Sequence, residues 1–106
     1  MTDGAEVGTP VIVVVRHDIQ PGKLAEAAGR IRSNGDRMAE RPGFVSRQLL
    51  RPDDGRDELA TITVWEDRGS YDAWQAHNRA ANVHAGAPTP YVGSPQTAVY
   101  VPDGQG

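Results

Sequence analysis

Three histidines, His17, His77 and His84, are the only side chains whose ordinary pKa lies near neutrality. Each could carry a proton or bind a metal through its neutral ring. His77 and His84 are seven residues apart. On a helix they share a face but sit two turns from one another, about 10 Å at the standard rise. One metal ion does not reach both, because a shared metal needs the i,i+4 spacing of an HExxH helix. No other set of histidines and carboxylates has ligand spacing. Cysteine is absent, which removes disulfides, thiolate nucleophiles and cysteine-based zinc or iron–sulfur sites. There is no GxSxG, Walker or GxGxxG motif, so hydrolase and nucleotide-dependent chemistry has nothing to carry it.

Trp65 and Trp74 belong to a small aromatic set of two Trp, three Tyr and one Phe. Either Trp could simply be core, with a partner for its N–H. Trp74 shares a helical stripe with Tyr71, Asn78 and Ala81, and such a stripe would face a cavity beneath the helix. His84 follows Trp74 by ten residues, near the end of that helix. There the helix dipole favours a cation, while a neutral imidazole would ligate a metal or haem iron. Arg16, His17 and Asp18 mark where an apolar strand turns polar. His17 has the parity of Val13 and Val15, so all three can point the same way.

These residues sit on elements that the pattern predicts. Residues 1–10 read as a loose arm. Val11–Ile19 is a strand, apolar at both parities as far as Val15 and therefore covered on both faces there. Pro21 and Gly22 break it. Leu24, Ala28, Ile31, Gly35 and Met38 then recur at helical spacing, giving a helix from about Lys23 to Glu40. Arg41-Pro42-Gly43 stops it. Phe44–Arg51 alternates loosely, with Val45 and Leu49 on one side and Phe44, Gln48 and Leu50 on the other. Pro52-Asp53-Asp54-Gly55 is a turn. Leu59–Glu66 alternates cleanly, so the two strands form an antiparallel hairpin. Ser70 is the expected N-cap of a second helix reaching about His84. A Gly/Pro-rich loop to Pro95 precedes the last strand, Gln96–Val101.

The order β-α-β-β-α-β is the ferredoxin-like α+β arrangement: a four-stranded antiparallel sheet with both helices on one face. The domain would span residues 11–102, with 103–106 as a tail. Two helices cover one sheet face only. The apolar residues on the other face call for a second copy, and the expected assembly is a homodimer.

Composition agrees. The chain has 106 residues, 38 % hydrophobic and 24 % charged, enough for one globular domain with a modest core. That excludes a two-domain, cofactor-plus-substrate enzyme. The net charge is −3, and the basic residues, mostly Arg, are scattered, so nucleic acid is not the expected partner. The longest apolar run, Val11 to Val15, falls far short of the roughly 20 residues a spanning helix needs. No basic segment followed by an apolar stretch marks a signal peptide. The expectation is a cytoplasmic protein with no membrane partner.

The stretches Arg41-Pro42-Gly43-Phe44, Gln48-Leu49-Leu50-Arg51-Pro52, Thr63-Val64-Trp65-Glu66-Asp67, Ser70-Tyr71 and Trp74 together resemble the antibiotic biosynthesis monooxygenase superfamily, over about residues 11–101. The resemblance implies a dimeric α+β barrel and a monooxygenase acting on a planar aromatic molecule between sheet and helices. One branch needs no cofactor and oxidises aromatic polyketide anthrones to quinones. The other, the IsdG-type branch, degrades haem, with a Trp in the second helix, an axial His about ten residues later and an Asn on the first strand. Trp74 and His84 match the Trp and the axial His. Val15 stands where that branch has Asn, and valine donates no hydrogen bond to iron-bound oxygen. Together with the readings above, the expected catalytic set is Trp74, His84 and His17, with Val15, Trp65, Tyr71 and Asn78 around the substrate. The implied cofactor is none, or haem held by His84. Two further readings are a haem-binding protein without turnover and a non-catalytic protein of the same fold.

Overall fold

The computed structural model describes residues 8–81 and 89–104. Its elements are β1 (Val11–Asp18), α1 (Leu24–Met38), β2 (Phe44–Leu50), β3 (Glu58–Trp65), α2 (Arg68–Ala81) and β4 (Gln96–Tyr100). The β-α-β-β-α-β order is therefore as the pattern predicts. The strands form one antiparallel sheet in the order β2-β3-β1-β4.

Strand parity decides what lies under the helices. Val11, Val13, Val15 and His17 of β1 pair with Trp65, Thr63, Thr61 and Leu59 of β3. Antiparallel partners directly opposite share a face. On that face Val11, Val13, Leu59, Thr61, Thr63 and Trp65 are buried to 3 % exposure or less. The helices complete two adjoining clusters. Tyr71 and Trp74 of α2 pack on Val11, Val13 and Trp65, while Ala27 and Ile31 of α1 pack on Ile19 and Leu59.

Two local expectations are corrected. Phe44 does not share a side with Gln48 and Leu50. It pairs with Trp65, whereas Ser46 pairs with Val64, so Val45 is an extra residue in a β-bulge. The bulge restores alternation one residue later and puts Phe44, Arg47 and Leu49 on the helix side. Nor is Ser70 the N-cap of α2. Asp67 is, its Oδ1 accepting from the Ser70 backbone N–H at 2.8 Å and from the Ser70 hydroxyl at 2.9 Å. These bonds hold the Asp67 carboxyl below its usual pKa, the backbone bond contributing most. A carboxylate also suits the positive end of the helix dipole. The first helix is shorter than the spacing suggests, ending at Met38; α2 is described as far as Ala81, and its expected reach to about His84 lies outside the described residues.

The Pro-Gly-Phe, Trp-Glu and Ser residues meet in space. Gly43 has φ +86°, a conformation that β-carbons disfavour. Its carbonyl accepts from the Glu66 N–H at 2.7 Å. A Cβ on Gly43 would collide with the Ser70 Oγ and Cβ. Phe44 stands edge-on to Trp65, 5.7 Å between centroids. The three segments thus form one joint that ties the start of β2 to the end of β3 and the start of α2.

The sheet's other face carries Ile12, Val14, Ile62, Val64 and Leu50, all half-buried, and Tyr100 at 56 % exposure. Among the described residues nothing packs over it. Among them, too, no helix is long and apolar enough to cross a membrane.

Candidate functional site

Between the helix-side face of the sheet and the two helices lies a cavity of about 310 Å³. Its floor is β1, β3 and β4; its roof is Asn34 and Met38 of α1 with Tyr71, Trp74 and Asn78 of α2. The volume is at the lower end of the roughly 300–1,000 Å³ range of ligand pockets. It is room for a planar molecule of a few fused rings.

One end is aromatic. Trp65, 1 % exposed, and Trp74, 2 % exposed, stack at 6.4 Å with 24° between planes. Val13 and Val15 continue this apolar surface along β1. The strand then brings His17 into the same cavity. Segment 89–92 is pinned beside the end of β1. Gln20 N–H donates to the Pro90 carbonyl and Val92 N–H to the Asp18 carbonyl, both at 2.8 Å. Tyr91 is thereby held against His17, ring centroids 4.9 Å apart.

The His17 Nδ1 is buried and, among the described residues, has no hydrogen-bond partner. Burial lowers the pKa of His17 below its ordinary value, and the Arg47 guanidinium lowers it further. The ring is therefore neutral at pH 7, with a free acceptor or a free donor according to its tautomer. Burial raises the pKa of Tyr91, so its phenol stays protonated.

Arg47 is the cation of the cavity. Its Nη1 donates to the Ile31 carbonyl on α1 at 2.8 Å. It passes α1 at Gly35, where a Cβ would lie 2.5 Å from the Arg47 Nη1. A glycine that weakens the helix is thus what admits the guanidinium. Burial pushes the Arg47 pKa down, opposed mainly by Asp36, yet a guanidinium stays charged at neutral pH. Among the described residues no Asp or Glu lines the cavity.

Arg37 fixes the roof. Its Nη1 donates to Asn34 Oδ1 at 2.9 Å and its Nη2 to Asn78 Oδ1 at 3.0 Å. Its guanidinium carbon lies 5.4 Å over the Trp74 ring, within cation–π range.

Of the residues singled out from sequence, His17, Val15, Trp65, Tyr71, Trp74 and Asn78 all line this one cavity. His84 lies outside the described residues. His77 is exposed, its ring centroid lies 6.0 Å from that of Trp74, and it does not line the cavity. Sequence reasoning missed Arg47, Tyr91 and the Arg37–Asn34 pair. Arg47 has the parity of Leu49, a usable signal once the bulge is known. Tyr91 sits in a Pro-rich loop with no periodicity to place it. Among the described residues no group of three or more His, Asp or Glu could hold a metal ion.

Comparison with known proteins bears on this cavity. The profile of the family described as Antibiotic biosynthesis monooxygenase matches residues 10–86. A haem oxygenase (mycobilin-producing) of Mycobacterium tuberculosis is 31 % identical over 77 residues, covering 73 % of this chain and 72 % of that protein. A variant of SnoaB, a cofactor-independent oxygenase from Streptomyces nogalater, superimposes with a TM-score of 0.68 at 23 % identity, covering 86 % of this chain and 90 % of that one. A variant of MhuD with two manganese protoporphyrin IX molecules bound per active site gives 0.69 at 27 % identity, covering 85 % and 91 %.

Proposed function

Because the chain belongs to the antibiotic biosynthesis monooxygenase family, we propose that it is an oxygenase whose cavity takes a planar, phenol-bearing aromatic molecule and oxidises it without a bound cofactor. The observation that carries this reading is the His17 Nδ1, buried and unpartnered among the described residues, in a cavity that the stacked Trp65 and Trp74 also line.

A neutral imidazole next to an aromatic slot is suited to take a proton from a substrate phenol. Deprotonation makes the ring system electron-rich enough to reduce O₂ directly. For an anthrone the balance is simple: the ring CH₂ becomes C=O, one oxygen atom enters the product and the other leaves as water. The substrate supplies all the electrons. Trp65, Trp74, Val13 and Val15 hold the ring plane and keep water out. Tyr71 and Asn78 border the bound molecule, and Tyr91 fixes the His17 ring. The experiment is O₂ uptake with an anthrone carrying a free phenol, in the absence of added metal or flavin. Uptake that depends on His17 supports the reading; uptake abolished by a chelator refutes it.

A second reading follows from the 31 % identity to a haem oxygenase: haem held by His84. Val15 lines the cavity and offers no hydrogen-bond donor where the haem-degrading branch has Asn, and His84 lies outside the described residues. If haem bound, His84 would hold the iron through its neutral imidazole. A hemin titration decides. A Soret band lost in His84→Ala supports haem, and no band at several-fold excess removes that reading.

The proposal includes a homodimer, formed through the sheet face that Ile12, Val14, Ile62 and Val64 share, and a cytoplasmic location. Light scattering after gel filtration checks the first and cell fractionation the second.

A further inference from the structure

The cavity's roof holds a pair of amides whose polarity is fixed by a neighbour. A guanidinium only donates hydrogen bonds. Arg37 meets Asn34 and Asn78 at once, at 2.9 and 3.0 Å, so both amides must turn their oxygens to it. What each has left is its NH₂ group. No hydrogen bond within the described residues engages these N–H donors, and both residues line the cavity.

The rest of the lining has the same sign. Arg47 is a half-buried cation whose Nε has no partner among the described residues, and none of those residues brings a carboxylate to the cavity. A ligand oxygen entering here meets donors and positive charge, with no acceptor strong enough to repel it. Arg37 is itself held from a third side by the Trp74 ring at 5.4 Å, so the same aromatic that borders the ligand also fixes the clamp. Two preset donors cost little reorganisation when charge develops on the oxygen they face.

We propose that Asn34 and Asn78, positioned by Arg37, form a donor pair for an anionic oxygen of the aromatic ligand, a phenolate or enolate. This rests on the reading of the cavity as an aromatic-substrate site. It adds the ligand's charge state and two residues that hold it. Asn34 and Asn78 are binding residues; Arg37 is a positioning residue.

The test uses alizarin, a hydroxyanthraquinone whose colour reports ionisation of its phenol, with the intact protein. Wild type binds it and shifts the ionisation to lower pH than in buffer. Asn78→Asp and Asn34→Asp keep the side-chain shape and the bond to Arg37 but replace the donors with a carboxylate. Each is expected to weaken alizarin binding by roughly tenfold to a hundredfold and to move the ionisation back up. Melting temperature should hold or rise, since Arg37 gains a charged partner. Asn78→Leu removes the donor without adding charge and should also lose the ionisation shift. If alizarin binds wild type, and these variants bind it within twofold with an unchanged colour transition, the donor pair is refuted while the cavity reading stands. If wild type does not bind alizarin, the cavity reading fails and takes this inference with it.

Discussion

Replacing Gly43 by Ala tests whether the Pro-Gly-Phe motif is a structural joint. Two separate costs follow from the geometry. At φ +86° a β-carbon costs about 1–2 kcal/mol against the following carbonyl. The new methyl also overlaps the Ser70 Oγ and Cβ, an overpacking cost of about 1–3 kcal/mol. Gly43→Ala should therefore lose about 2–5 kcal/mol. Ser70→Gly loses its hydroxyl bond to Asp67 and some helix propensity, together about 1–2 kcal/mol. In the double variant the methyl's nearest neighbour on residue 70 is the Cα, at 3.8 Å, an ordinary contact. The overlap vanishes and only the backbone strain remains. The double variant should accordingly be more stable than the sum of the singles by about 1–3 kcal/mol. Urea unfolding followed by circular dichroism, at one fixed protein concentration, gives the three differences. Ser70→Ala is the control, since it keeps the Cβ and so relieves the overlap only in part. Additivity within about 0.5 kcal/mol would refute the argument and leave backbone strain as the only role of Gly43.

Other outcomes are expected elsewhere in the chain. His17 is depressed below 6.5 by burial and then by Arg47, so the acid limb of the O₂-uptake profile should lie below pH 6.5 and disappear in His17→Asn. The sign for stability follows. The unfolded chain binds this proton first as pH falls, so the His17 contribution is full above 6.5 and lost on acidification toward the folded value; acid titration of wild type against His17→Asn measures it. Gly29 lies on the exposed side of α1, and a methyl placed on it would meet no atom within 4 Å, so Gly29→Ala should stabilise by about 0.5–1 kcal/mol in a urea melt. Val14→Arg or Ile62→Glu, on the sheet face away from the helices, should convert a dimer to monomer in light scattering while leaving the far-ultraviolet spectrum intact. A dimer that survives both would put the interface elsewhere.

Much of this was readable in the residues because parity is a strong signal. Leu59, Thr61, Thr63 and Trp65 share one side of a clean alternation, and all four are buried beneath the helices. Trp74 and Tyr71 were legible for the same reason at helical spacing. The failures have physical causes. One extra residue at Val45 reverses the parity of Phe44 and hides Arg47. Asp67 and Ser70 are both competent caps, and a capping bond between them decides the start of α2 only in three dimensions. Tyr91 reaches His17 through backbone bonds between segments near opposite ends of the chain, which no local pattern encodes. The Arg37 clamp spans two helices and is invisible for the same reason.

The alternation of β1 has an evolutionary consequence. Positions 13, 15 and 17 look into the cavity, and positions 12 and 14 look away from it. Chemistry and outward surface are therefore written in alternate letters of one short word. A change at Val15 alters what the cavity accepts without touching the outer face, and a change at Val14 does the reverse. A scaffold with this division can acquire new substrates by single substitutions while its fold stays under separate selection.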